Sequence, residues 1–214
     1  MDFIILVICS YLIGAIPFGV IISFAHGIDL RKIGSGNIGA TNLGRAVGKK
    51  WAYFCFLLDA GKGFLPAVSA KWLIIGDTLT PAACGLWLAV GCAAILGHIF
   101  PVFLKFKGGK GVATSLGVAL GIYPYFTIPA VLSFLVWVPI VLKSRYISLG
   151  SVTAAVMFPV FFALAVIISE SWEFAVLYPL LIAGIAIPVM VLIRHRRNIA
   201  EIINGTENKI KSRQ

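Results

Sequence analysis

The 214-residue chain is 60% hydrophobic and 12% charged, with 18 Lys and Arg against 8 Asp and Glu for a net charge of +10. So little charge cannot cover the surface of a soluble domain of this length, so the composition predicts one integral-membrane domain over residues 1–214. The basic excess collects between apolar runs, which argues for a membrane topology signal and against nucleic acid as a partner.

Crossing about 30 Å of hydrocarbon takes about 20 apolar residues, and runs near 3–24, 51–75, 82–102, 125–142, 151–168 and 174–193 meet that length. The first follows Met1-Asp2 directly, without the basic region of a cleavable signal, and is expected to stay as a span. Residues 34–45 then read GSGNIGATNLGR. Gly34, Gly36, Gly39 and Gly44 let the backbone turn N–H groups toward one point, while Ser35, Asn37, Thr41, Asn42 and Arg45 add side-chain donors. This is the composition of an anion cradle. In the second run Asp59 and Lys62 stand about one helical turn apart and can pair in lipid, either as a structural pair or lining a polar cavity. His98, at the end of the third run, suits helix packing or substrate contact.

A second cradle follows at 106–114, FKGGKGVAT, where Gly108, Gly109 and Gly111 alternate with Lys107 and Lys110. Lysines alone would satisfy a topology signal or anionic headgroups, but neither use needs the glycines. Two nucleotide fingerprints are excluded. Gly34 to Gly39 fits GxGxxG, yet no strand precedes it and the chain has no room for a βαβ sheet; Lys110 lacks both the Gly at 104 and the Ser or Thr at 111 of a P-loop.

Gly111 to Pro124 would make a helix of about 20 Å, short for a crossing, and charge decides how to read it. If it crosses, 16 of the 18 basic residues share one side, facing Asp2, Asp77, Glu170 and Glu173 across the membrane. If it does not, Lys143, Arg145 and the C-terminal basic residues move to the opposite side. The expectation is an all-α polytopic bundle of seven transmembrane helices, N-terminus outside, C-terminus and working surface cytoplasmic.

His195 and Asn198, in RHRRN at 194–198, share a face if the last helix continues, and Ser148 lies in the third cytoplasmic loop. The acids on that side, Asp29, Glu201 and Glu207, are scattered, which disfavours a carboxylate-bound metal. Cys9, Cys55, Cys84 and Cys92 lie in apolar runs without CxxC spacing, and no GxSxG elbow offers a nucleophile. Donors and cations remain. They can hold one or two phosphates and catalyse by positioning and by neutralising a leaving group, with no metal or cofactor. A carrier of organic phosphates, using Asp59 and Lys62, is the competing class, and a lipid-sensing subunit a third; the clustering of anion-binding signals at one face argues against the carrier.

Together GSGNIGATNLGR (34–45), GHIFPVFLKFKGGKGVAT (97–114) and VLIRHRRNIAEIINGTE (191–207) resemble the bacterial acyl-phosphate-dependent glycerol-3-phosphate acyltransferases. The resemblance extends over nearly the whole chain and its span pattern. It implies an enzyme of the bacterial inner membrane that moves a fatty acyl group from acyl phosphate to the sn-1 hydroxyl of sn-glycerol 3-phosphate. The products would be lysophosphatidic acid and phosphate, in the first acylation of phospholipid synthesis. By motif position the resemblance implies catalytic roles for Ser35, Arg45, Lys107, His195 and Asn198. Around the substrates it puts Gly34, Gly36, Asn37, Thr41, Asn42, His98, Lys110 and Ser148, with Gly108 and Gly109 as backbone donors. The base stays open between His195 and a substrate phosphate oxygen. Family members commonly carry Arg where this chain has Glu201, which is expected instead to pair with Arg197 at i, i+4.

Overall fold

The computed structural model describes residues 3–75 and 78–210. Asp2, Asp77, Lys211 and Arg213, which enter the charge balance across the membrane, lie outside the described residues. Every regular element described is helical: α1 (Phe3–Ala15), α2 (Phe18–Ala25), α3 (Ala40–Ala46), α4 (Lys49–Ala70), α5 (Pro81–Ile99), α6 (Val112–Gly121), α7 (Thr127–Ser144), α8 (Ile147–Ile168), α9 (Phe174–Arg194) and α10 (Arg196–Ile203). The chain divides into two compact units, Met1–Ile122 and Tyr123–Gln214.

Among the described residues, five segments are long and apolar enough to cross a membrane: Phe3–Ala25, Pro81–Leu104, Thr127–Ser144, Ile147–Ile168 and Phe174–Arg194. They coincide with five of the six predicted runs. The first is two helices, because Pro17 has no N–H to continue the ladder and α2 restarts at Phe18. The sixth run forms α4 and a π-helical turn at Lys71–Ile75; it carries Lys49, Lys50, Asp59 and Lys62 and is not among the five. Helix α6 has 10 residues, about 15 Å of rise, less than expected because it closes at Gly121, where the Ile122 N–H bonds to Val118 O.

In the first unit the helices approach closely at small residues. A Cβ on Gly63 of α4 would overlap Thr114 O, and one on Gly117 of α6 would overlap Ala60 O, so these glycines set how near α4 and α6 lie. Polar links tie the other helices: Ser10 Oγ donates to Val90 O (2.6 Å), Tyr11 Oη to Phe100 O (2.8 Å) and Trp87 Nε1 to Ala67 O (2.7 Å). Each gives a buried or half-buried donor a partner it could not find in hydrocarbon. Ile22, Leu30, Leu43 and Cys55 form a core with Phe18 and Trp51 packed on it, which fixes α2 and α3 at the two ends of the 26–39 segment.

The second unit is built on the α7–α8 hairpin, whose turn places Arg145 at φ +62°. Phe126 meets Phe158 and Phe162 edge to face, with ring centroids 5.3 Å apart in each pair. After α9 the chain breaks at His195 and continues as the amphipathic α10. The tail folds back onto the hairpin: the Ile210 N–H donates to Arg145 O (2.8 Å), and Lys209 lies over the Tyr146 ring.

Candidate functional site

The first loop hangs from one side chain. Asn42 is 2% exposed. Its Nδ2 donates to Ile33 O (2.9 Å), Asn37 O (2.9 Å) and Leu30 O (3.2 Å), while Oδ1 accepts the Ser35 N–H (3.2 Å). Gly34 and Gly36 take φ +58° and +67°, left-handed values that glycine adopts without strain. Asn37 Oδ1 accepts the Gly39 N–H (2.8 Å), and Ser35 Oγ accepts the Asn37 N–H (3.4 Å). The result presents Ser35 to the exterior, with Thr41 and Arg45 also exposed and four residues apart on α3. Before the loop, Asp29 caps the 3-10 turn Leu30–Lys32 and takes both Arg31 Nε (2.8 Å) and Nη2 (3.0 Å). That hydrogen-bonded guanidinium holds the Asp29 carboxyl below the ordinary carboxylate range.

The second loop is anchored differently. Its glycine N–H groups, expected to face a phosphate, bond to the end of α5: Gly108 N donates to Ile99 O and Gly109 N to His98 O, each at 3.1 Å. Helix α5 ends with carbonyls lacking intrahelical donors, and these two N–H groups satisfy them. A Cβ on Gly109 would overlap His98 Nε2, so the loop lies directly on that ring. His98 is itself 6% exposed, beneath the loop. Lys105 and Phe106 take left-handed backbone conformations, and Lys107 is exposed at the tip.

Under this loop sits a buried charged cluster. Lys62 Nζ lies 2.7 Å from Asp59 Oδ1, and His98 Nδ1 lies 3.7 Å from the same oxygen. Lys62 also donates to Ile16 O (2.8 Å) at the α1–α2 break, and Thr114 Oγ1 of α6 donates to Asp59 O (2.9 Å). The pairing of Asp59 with Lys62 expected from helical spacing is present. His98 and Thr114 join it from α5 and α6, which spacing along one helix does not indicate.

In the second unit His195 is 2% exposed and its Nδ1 is 2.8 Å from Val191 O. A carbonyl only accepts, so Nδ1 carries the proton and, in the neutral ring, Nε2 carries the lone pair. Asn198 Nδ2 donates to Glu207 Oε2, so this acid, isolated in the order of residues, has a specific partner in the fold. Arg197 Nε and Glu201 Oε1 are 2.8 Å apart, the expected i, i+4 pair. Ser148, in the first turn of α8, is buried, with no hydrogen-bond partner for its Oγ among the described residues.

The chain is an apolar helical one whose glycine-containing loops leave Ser35 and Lys107 exposed, with Arg45 exposed on α3, the features of a polytopic membrane protein with polar loops. The family model described as glycerol-3-phosphate acyltransferase matches residues 4–205. A glycerol-3-phosphate acyltransferase of Aquifex aeolicus is 43% identical, over 95% of this chain and 97% of that protein. Two crystal structures of PlsY, an integral membrane glycerol 3-phosphate acyltransferase, are also similar. Its glycerol 3-phosphate form has a TM-score of 0.84 and 41% identity, covering 98% of this chain and 96% of that one. Its lysophosphatidic acid form has a TM-score of 0.81 and 40% identity, covering 98% and 95%. The chain belongs to the glycerol-3-phosphate acyltransferase family.

Proposed function

We propose that this protein transfers a fatty acyl group from acyl phosphate to the sn-1 hydroxyl of sn-glycerol 3-phosphate, releasing lysophosphatidic acid and inorganic phosphate. The observation that carries the reading is likeness over 98% of the chain to an acyltransferase solved in glycerol 3-phosphate and lysophosphatidic acid forms. The acyl-phosphate donor is what the resemblance carried by the three motifs implies, and the chemistry of those motifs is compatible with it. A phosphate leaving group needs cations and hydrogen-bond donors around it, the residue types those motifs supply.

In the proposed step the glycerol oxygen attacks the acyl carbon directly. The new C–O ester bond forms, the C–O bond to phosphate breaks, and the electron pair leaves on phosphate. The hydroxyl proton passes to His195 Nε2 or to a substrate phosphate oxygen. Ser35, Arg45 and Lys107 bind phosphate oxygens, with Lys110 as a second cation and Thr41, Gly34, Gly36 and Asn37 shaping the first loop. For His195 and Asn198 of the second unit the motif resemblance supports catalytic roles, and Ser148 is a further candidate for substrate contact. Asn42 and His98 act through the loops they hold, Asn42 by its bonds to Leu30 O, Ile33 O and Asn37 O and His98 by its place against Gly109.

We further propose seven crossings, with α4 and the short α6 added to the five apolar spans, in one acyltransferase domain of the bacterial inner membrane. The N-terminus would be outside and the substrate loops cytoplasmic, so that both soluble headgroups reach the site while the acyl chain stays among the helices. The positive-inside distribution supports that orientation.

The test is purified protein with palmitoyl phosphate and glycerol 3-phosphate, following phosphate and lipid together. Equal yields of both are expected, with Lys107→Ala lowering kcat/KM by about 100-fold or more, the loss typical of one removed charge-stabilising donor. A folded protein that makes neither product sinks the reading, and radiolabelled acyl-protein trapped in a single turnover sinks direct attack.

A further inference from the structure

We infer that His98 is a positioning residue: its ring, set beside the Asp59 carboxylate, fixes the seating of the loop that carries Lys107 and Lys110. The inference rests on the proposal that this loop takes a substrate phosphate.

Glycine is required at 109 for space. Its φ lies outside the left-handed region, unlike that of Gly111 at +85°, so the backbone there accepts any L-residue. What excludes a side chain is His98 Nε2 immediately below. The two backbone bonds from Gly108 and Gly109 to Ile99 O and His98 O then clamp the loop to the same helix end. The ring is thus a floor, and the loop rests on it.

The floor is fixed from beneath. Asp59, Lys62 and His98 have side chains 4%, 3% and 6% exposed. A buried charge cluster is costly to assemble unless its members are paired, and pairing also restricts them to one arrangement. Lys62 ties it to the α1–α2 break through Ile16 O, and Thr114 ties it to α6 through Asp59 O. Lys62 and His98 therefore meet at the Asp59 carboxylate, at 2.7 and 3.7 Å, while Thr114 fixes the backbone that carries it through Asp59 O. A shift of a few tenths of an ångström in the ring moves the loop's cations relative to a bound phosphate.

Lys107 and Lys110 hold phosphate in the bound substrate as well as in the transition state, so misplacing them raises the KM of the substrate they hold, and kcat falls too where that phosphate departs. The full-length enzyme is made as Gly109→Ala, His98→Ala, the double variant and Lys107→Ala, and kcat and both substrate KM values are measured. Gly109→Ala is expected to raise the KM of one phosphorylated substrate about 10-fold, with the other KM within about threefold. In the double variant the new methyl enters the space left by the ring, so its KM should fall below that of Gly109→Ala, a non-additive cycle. Normal KM values in Gly109→Ala overturn the inference, as does strict additivity in the double variant. So does a loss of kcat with both KM values unchanged, the pattern of a merely structural lesion. Should His98→Ala fail to fold, Gly109→Ala carries the test alone. Lys107→Ala separates the two readings: if it is severely impaired while Gly109→Ala is normal, only the positioning role fails; if Lys107→Ala is itself normal, the phosphate reading of the loop fails and the inference with it.

Discussion

The loop at Gly34–Asn37 and the loop at Lys107–Gly111 share glycines and a following helix, yet they are held in opposite ways. In the first, glycines supply positive φ, and the backbone is gathered by the buried amide of Asn42. In the second, Gly108 and Gly109 supply the absence of a side chain, and the backbone is gathered by carbonyls at the end of α5. The lesson is that a glycine-rich anion motif can be a demand on conformation or a demand on space. Only the packing partner distinguishes them.

The strongest way to break the contrast is to remove the side chain that holds the first loop. Asn42→Ala takes from Asn37 O and the Ser35 N–H the partner the amide supplies, and leaves Leu30 O and Ile33 O with only the Ile33 and Gly36 N–H groups. At about 1–3 kcal/mol for a buried unsatisfied group, discounted because the loop's outer side is wet, the expected loss is about 3 kcal/mol. Thermal unfolding in detergent should show a clear drop in Tm, with activity falling alongside as Ser35 loses its support. Asn42→Asp should be no better, since it turns three donated bonds into carboxylate-carbonyl repulsion. An unchanged Tm in Asn42→Ala would mean that the loop is held by something other than this amide.

How much of this is legible in the sequence follows from the same contrast. Length and apolarity are local, so five spans can be read from residue order, and the Arg197–Glu201 and Asp59–Lys62 pairs follow from helical spacing alone. The identity of the motif residues is legible too, because the resemblance rests on contiguous stretches. What a side chain does within a motif is not. Asn42 reads as one more donor beside Ser35 and Thr41 until α3 turns it inward, and His98 reads as a helix-end histidine until the loop folds over it. Both depend on contacts between segments separated in sequence. The Asn198–Glu207 bond needs the reversal after α10, where Gly205 takes φ +70°. The break at Pro17 is written in the sequence, but apolarity on both sides of it hides the interruption.

A smaller effect sharpens the comparison by rank order. At Gly36 the φ of +67° is the obstacle, and the nearest atom to an added Cβ is Arg31 O at 3.2 Å. Alanine there costs about 1–2 kcal/mol of left-handed strain, and asparagine less, because its side chain tolerates that region. At Gly109 the obstacle is the His98 ring, so cost should rise with size and alanine should be the better substitute. Tm values for Ala and Asn at both positions should therefore cross: Asn above Ala at 36, Ala above Asn at 109. The same order at both sites would remove the distinction between conformation and space.

The smallest expected effect concerns pH and belongs to the first loop alone. Asp29 and Arg31 are partly exposed, at 20% and 48% of their side chains, and brace the turn that leads into Gly34. The hydrogen-bonded Arg31 guanidinium lowers the Asp29 pKa in the folded state. The stabilisation is therefore complete above the unfolded carboxylate value of about 3.9 and fades as pH falls through the lower folded value. Solvent screens the pair, so the change in Tm should be slight. Between pH 6 and pH 3, on the order of the carboxylate range, wild type should lose a little more Tm than Asp29→Asn, which has no carboxylate to protonate there. Parallel curves would show that the ion pair does not brace the loop, leaving Asn42 as its principal support and making the contrast between the two loops sharper still.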